Sequence, residues 1–70
     1  MAWFDADTRI IITAISENPG TVSLELYKDE NGKWWAGFIC FEADDKYNVK
    51  YSGRSPEMAC NALAEYLRKH

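Results

Sequence analysis

The C-terminal segment carries the clearest apolar pattern of the chain. Its apolar residues recur with the period of about 3.6 that defines an α-helix; they are Met58, Ala59, Ala62, Leu63, Tyr66 and Leu67. Ser55 can accept a hydrogen bond from the first turn, and Pro56 suits the first helical position because the N–H that proline lacks would have no acceptor within the helix there. Arg68 and Lys69 place positive charge at the other end. The pattern predicts a helix that starts after Ser55 and rests one apolar stripe on a flat surface.

A period of two precedes this helix. Val22, Leu24 and Leu26 alternate with other residues in the way that is typical of a half-buried β-strand. Residues 29–32 end in Asn-Gly, which is the strongest short signal for a hairpin between two strand-like runs. The sequence therefore predicts a first strand, a tight turn and a second strand.

The second strand, residues 33–42, is apolar on both sides, which predicts a central position in the sheet. Alternation places two sets of side chains on opposite faces: Trp34, Ala36, Phe38 and Cys40 on one, and Trp35, Gly37, Ile39 and Phe41 on the other. Residues 42–46 form the next predicted turn. Tyr47, Val49 and Tyr51 then alternate through a third strand.

The secondary structure of residues 3–17 is ambiguous, because the pattern is compatible with a helix or a strand. Asp5 or Asp7 could cap a helix with positions 8, 11, 12 and 15 on one face, and Asn18, Pro19 and Gly20 resemble a helix end. The β-branched run at positions 10–12 prefers strands, but its contiguous isoleucines do not alternate. The helix is favoured.

The predicted architecture is one α+β domain spanning residues 1–70. A three-stranded antiparallel meander carries the helices on one face, in the order α-β-β-β-α, with β-β-β-β-α as the alternative. The other face of the sheet then lacks a helix, and Trp34 or Trp35 must point into it. A large aromatic there can mark an interaction surface. Neighbouring side chains could instead cover this face, namely those of Tyr27, Lys28 and Lys50, or those of Trp3 and Phe4.

Charge and cysteine content narrow the function classes. The chain has 11 acidic and 8 basic residues, a formal net charge of −3, and its basic residues are scattered. Nucleic-acid binders usually carry a basic stripe, so direct nucleic-acid binding is not expected. Cys40 and Cys60 are expected as buried cytosolic thiols, although a single disulfide between them is possible. No apolar run approaches the ~20 residues of a membrane span, and we expect a soluble cytoplasmic protein of a bacterial host.

Candidate chemistry is confined to carboxylates on the two predicted turns. These are Asp29 and Glu30 on the first turn, and Glu42, Asp44 and Asp45 on the second. Neither turn has the spacing of a calcium loop, and His70, the sole histidine, ends the chain. We therefore expect no catalytic set, metal site or cofactor. The carboxylates are interpreted either as solvated turn charge or as a patch that attracts a basic partner.

Three resemblances follow from these features. The order α-β-β-β-α resembles that of double-stranded-RNA-binding domains, although the start of the last helix carries Glu57 where those domains carry lysines. The run Ser55, Pro56, Glu57, Met58, Ala59 is similar to the helix opening of HicB-type antitoxins. In size, acidity and aromatic content the chain resembles small phage and mobile-element proteins of the anti-CRISPR type, which implies an inhibitor that occupies basic nucleic-acid-binding surfaces.

The expected function is that of a non-enzymatic protein-binding module, an acidic inhibitor of a basic nucleic-acid-handling complex such as a CRISPR effector. The residues expected to contact the partner are Asp29, Glu30, Trp35, Glu42, Asp44 and Asp45. The alternatives are RNA binding through exposed sheet aromatics, and an antitoxin-like or dimeric regulatory subunit. The chain is expected to be a monomer or a homodimer.

Overall fold

The order α-β-β-β-α is present in a computed structural model, which describes residues 6–40 and 47–69. Its elements are α1 (Ala6–Ser16), β1 (Val22–Lys28), β2 (Trp34–Cys40), β3 (Lys50–Gly53) and α2 (Pro56–Lys69). The three strands form one antiparallel sheet in the order β1-β2-β3. The predicted α+β meander is confirmed.

The first element is a helix, which decides between the two alternatives. Ile11 and Ala14 are buried on one side of α1, and this tertiary packing outweighs the strand preference of the isoleucine run. The helix ends where predicted: the Asn18 side-chain amide donates a hydrogen bond to the Ala14 carbonyl at 2.7 Å. Gly20 follows with φ of 79°, a conformation that a side chain disfavours.

The buried face of α1 is rotated from the predicted one. Ile12, predicted to lie inside with position 11, is 43% exposed. Ala14 occupies the interior instead, because α1 must face both α2 and β1. A helix that packs against two elements at once buries the residues between them, and these need not be its most hydrophobic residues.

The buried face of α2 is rotated as well. Its interior residues are small apart from one leucine, and they are Ala59, Cys60, Leu63 and Ala64. Met58, predicted to be part of the stripe, is 53% exposed. Gly53 explains the choice of small residues, because a Cβ built on it would lie 2.6 Å from the Ala59 nitrogen. The backbone of β3 therefore lies directly against the first turn of α2, where a large side chain has no room.

The core lies between the sheet and the two helices. Ala36 and Leu63 are fully buried, and Val22 and Phe38 are nearly so. Tyr47, predicted to belong to the third strand, precedes β3 and inserts into the core instead. Its ring meets that of Phe38 edge to face, with centroids 5.8 Å apart. Strand β3 consequently starts at Lys50, later than the alternation indicated.

Candidate protein-interaction surface

One face of the sheet points away from both described helices. The register places a fixed set of side chains on it, which we call the open face: Ser23, Glu25, Tyr27, Trp35, Gly37, Ile39, Lys50 and Ser52. The opposite face carries buried residues such as Val22, Ala36 and Phe38, against which the helices pack. The sequence left two tryptophans as candidates for the outward position, and the register assigns it to Trp35.

Two aromatic residues lie side by side on the open face. Tyr27 is the direct cross-strand partner of Trp35, and such opposed pairs lie close enough for their side chains to touch. Tyr27 is 37% exposed and Ile39, further along β2, is 41% exposed. Trp35 is partly buried. The open face therefore exposes Tyr27, Ile39 and part of Trp35 on the side of the sheet that the described helices leave uncovered.

The β1–β2 turn fixes the orientation of Trp35. One carboxylate oxygen of Asp29, Oδ1, accepts the backbone N–H groups of Asn31 and Lys33, each at 2.9 Å. The other oxygen, Oδ2, accepts the indole N–H of Trp35 at 2.9 Å. Gly32 supplies the positive φ of 84° that the turn needs. The same Asp29 carboxylate therefore closes the turn and holds the indole N–H of Trp35.

These bonds lower the pKa of Asp29. The hydrogen bond from Trp35 is the largest cause, and the backbone N–H of Lys33 is the next. Both favour the charged carboxylate, which accepts hydrogen bonds better than the neutral acid. Asp29 therefore stays ionised to a lower pH than an ordinary aspartate does, and accepts the Trp35 N–H down to that lower pH.

Two lysines lie over the aromatic rings. The Lys33 ammonium is 5.6 Å from the centroid of the Trp35 ring, and that of Lys50 is 5.1 Å from the Tyr27 centroid. Lys50 also donates to the Tyr27 hydroxyl at 3.1 Å and pairs with Glu25 at 3.1 Å. These bonds, to Tyr27 first, raise the pKa of Lys50. The expected cover of this face by Lys50 is thus present over Tyr27, while Ile39 stays exposed.

The structure brings some of the predicted contact residues together. Asp29 and Trp35 are directly bonded, and the exposed Glu30 lies in the same turn. Glu42, Asp44 and Asp45 lie outside the described residues, so their part in binding stays a prediction. Sequence reasoning missed the bond between Asp29 and Trp35, although an aspartate opening an Asn-Gly turn is a recognised acceptor.

The cluster of Tyr27, Glu25 and Lys50 on the open face was also not predicted from the sequence. Counting outward from a two-residue Asn-Gly turn would pair Lys28 with Trp35. The observed loop has three residues, since Asp29 pairs with Lys33, and this places Tyr27 opposite Trp35. The reach of Lys50 across Gly37 could not be predicted, because it depends on the register between β2 and β3. A glycine at this central position leaves the side chains of Glu25 and Lys50 room to meet.

Other site chemistry can be stated only for residues 6–40 and 47–69. Within them, no group of three His, Cys, Asp or Glu residues is placed to hold a metal ion. The side chains of Cys40 and Cys60 are thiols rather than a disulfide. Neither helix of this part of the chain is long and apolar enough to cross a membrane.

Comparison with known proteins adds no relative: no protein-family model, no curated protein and no solved structure matches this chain. The functional interpretation therefore rests on the residues and geometry of the open face.

Proposed function

We propose that this chain is a non-enzymatic protein-binding module that docks a protein with a basic surface through its open face. One observation carries the proposal: Tyr27 and Trp35 are opposed on a sheet face that the described helices leave uncovered, and Asp29 fixes the Trp35 indole. Aromatic side chains of this kind dominate the binding energy of protein interfaces.

The hydrogen bond to Asp29 supports an anchoring role for Trp35. An anchor that is already held in one orientation loses less conformational entropy when a partner binds. The indole edge is satisfied by the carboxylate, so burial of the ring by a partner strands no polar group. A partner would gain apolar contact with Trp35, Tyr27 and Ile39 at low cost in ordering.

Charge favours a basic protein as the partner. The chain has a formal net charge of −3, and the exposed Glu30 lies in the same turn as Asp29. On the open face itself the charge of Glu25 is neutralised by Lys50, so this pair contributes little to the electrostatic attraction of a basic partner. The long-range field of the whole chain steers the encounter. The acidic residues at 42, 44 and 45 are proposed to add to that field.

This combination suits an inhibitor of a nucleic-acid-handling complex, of the kind that anti-CRISPR proteins exemplify. Such a complex presents basic surfaces that normally bind phosphates, and an acidic module with aromatic anchors can occupy them. The proposal rests on small size, acidic charge and the open face together.

A second candidate follows from the same aromatic pair. Bases of single-stranded RNA stack on sheet aromatics, and Lys33 and Lys50 are close enough to Trp35 and Tyr27 to meet a phosphate backbone. The net charge of −3 opposes it. The two lysines also lie over the rings that bases would have to stack on, so the protein partner is preferred.

Capture from bacterial lysate with variant chains tests the proposal. The tagged full chain, Trp35→Ala and Met58→Ala are immobilised in parallel, with and without nuclease. Met58 is a matched control because it is 53% exposed and lies on α2, away from the open face. The proposal expects a stoichiometric protein that survives nuclease, is kept by Met58→Ala and is lost by Trp35→Ala. Equal capture by Trp35→Ala, or capture that nuclease abolishes, would overturn it, the latter in favour of RNA.

A further inference from the structure

We propose that two copies of this chain pair antiparallel along the edge of β1, so that their sheets form one continuous sheet. The inference concerns the edge of the sheet rather than its open face, and it does not depend on the proposed function. The occupant of the edge is a second copy, because the strand is complementary to itself in one register.

The hydrogen-bond pattern shows which backbone groups of β1 face the edge. The Asp29 N–H donates to the Lys33 carbonyl at 2.9 Å, and this pair continues the β1–β2 register. Alternation therefore directs the odd-numbered residues of β1 toward β2. Leu24, Leu26 and Lys28 direct their N–H and C=O groups outward, on the side where the described sheet has no further strand.

Apart from the charged side chains of Glu25 and Lys28, the strand lacks the usual devices that protect an edge. Its seven residues contain no proline, and none of them has a positive φ. Natural edge strands are commonly short, interrupted or guarded by inward charges. An exposed apolar side chain also lies on this edge strand: Leu24, on the helix-facing side of β1, is 36% exposed.

A two-fold axis through Leu26 gives a consistent register. Leu26 then opposes Leu26 of the second copy, and Leu24 opposes Lys28 of that copy. All these residues direct their backbone groups outward, so each opposed pair exchanges two N–H···O=C bonds. The aliphatic stem of Lys28 covers the exposed part of Leu24, while its ammonium stays in water.

Charge on the open face selects this register over its neighbour. Glu25 opposes Tyr27 of the second copy, whose hydroxyl is held by Lys50 of that copy; within one chain this bond measures 3.1 Å. Each Glu25 thus gains a second ammonium nearby. An axis through Glu25 would instead oppose two carboxylates directly, and like charges in that position are destabilising.

Sedimentation velocity on the purified full chain tests the dimer across a wide range of concentration. The expected mass is twice the 8.1 kDa of one chain. Leu24→Lys places two like charges in each of the symmetric contacts and should weaken association on the order of tenfold or more. Adding Lys28→Glu to that variant should restore association, because the new ammonium at position 24 then meets the new carboxylate at position 28 of the second copy. Ile39→Lys, on the open face, should leave the mass unchanged.

Three results would overturn the proposal. They are a wild-type monomer at every concentration, a dimer that Leu24→Lys leaves intact, and a charge-swapped double variant that stays monomeric. Circular dichroism confirms that each variant is folded. Should Leu24→Lys fail to fold, Lys28→Pro replaces it as the disrupting variant, since it removes the N–H that Lys28 directs to the edge and leaves the hydrogen bonds between β1 and β2 in place.

Discussion

The indole N–H of Trp35 donates a hydrogen bond to Oδ2 of Asp29 at 2.9 Å. This bond joins the turn that sets the β1–β2 register to the ring that we propose as the binding anchor. Because Oδ1 of the same carboxylate accepts two backbone N–H groups of the turn, Asp29 cannot move without releasing Trp35. The geometry of the open face is therefore a consequence of the hairpin sequence.

The first prediction concerns pH. The folded-state pKa of Asp29 lies below its ordinary value of 3.8, chiefly because of the bond from Trp35. Its stabilising contribution is then fully present above pH 3.8 and is lost as the pH falls through the lower folded-state pKa. The Trp35 indole proton, followed by NMR, should shift with a midpoint below 3.8.

Asp29→Asn is the control for this titration. The amide retains one oxygen for the turn but removes the ionisable group, so the Trp35 resonance should lose its acid transition. A wild-type midpoint at or above the ordinary aspartate value, or a transition that persists in Asp29→Asn, would contradict the assignment.

A core substitution tests the packing of α2 on the sheet. Leu63 is fully buried, so Leu63→Ala should lower the free energy of unfolding by about 2–5 kcal/mol through lost burial and a residual cavity. Urea denaturation followed by tryptophan fluorescence measures this change. Ile39→Ala is the matched control, because Ile39 is 41% exposed, and it should cost far less. Equal losses for the two variants would refute the assignment of Leu63 to the core.

Gly53→Ala tests the close approach of β3 to α2. The added methyl would lie 2.6 Å from the Ala59 nitrogen and 2.8 Å from the Met58 Cβ, so strand and helix must separate. We expect a loss of about 1–3 kcal/mol in the free energy of unfolding, as for overpacking elsewhere. Ser52→Ala, one residue earlier on the open face, should stay within ~0.5 kcal/mol of wild type. A Gly53→Ala variant as stable as wild type would show that the contact is looser than described.

Thiol labelling distinguishes the two cysteines. Cys60 is 5% exposed, whereas Cys40 is only partly buried at the end of β2. In native conditions Cys40 should react first with a thiol reagent, and Cys60 should react at the rate at which the core opens. Mass spectrometry of the labelled chain reads the order. Simultaneous labelling of both, or the absence of both thiols, would contradict the structure.

The element order was predictable because local signals agreed with one another. The Ser55 cap is present, with its hydroxyl accepting the Met58 N–H at 3.1 Å. The Asn-Gly turn has its positive φ at Gly32, and the period of two placed Trp35 and Ile39 on the same face. Each of these signals acts within a few residues, which is why sequence alone can detect it.

The faces of the helices were less predictable because they depend on contacts between distant segments. Asp7 pairs with Arg68 at 2.7 Å and accepts a hydrogen bond from Asn61, also at 2.7 Å, and these exposed contacts accompany the packing of α1 against α2. That arrangement turns Ile12 and Met58 outward, although their hydrophobicity suggested burial. Neither contact can be detected from the local pattern of hydrophobic and polar residues, because each joins residues that are far apart in the chain.

The candidate site was predictable in part. Alternation along β2 suggested an outward tryptophan, and the turn suggested nearby carboxylates. Their direct bond could not be read from spacing, since it depends on the rotamer of Trp35 and on the twist of the hairpin. The role of Lys50 required the register of a third strand, which sequence placed only approximately.

The most direct test of the proposed function is the affinity of the captured protein for wild-type chain, Trp35→Ala and Met58→Ala, by titration calorimetry at low and high salt. We expect Trp35→Ala to lose at least ~2 kcal/mol of binding free energy, about thirtyfold in affinity, as a central aromatic anchor does. Met58→Ala should bind like wild type, and high salt should weaken all three. Equal affinity of Trp35→Ala and wild type would contradict the claim that the open face is the docking surface.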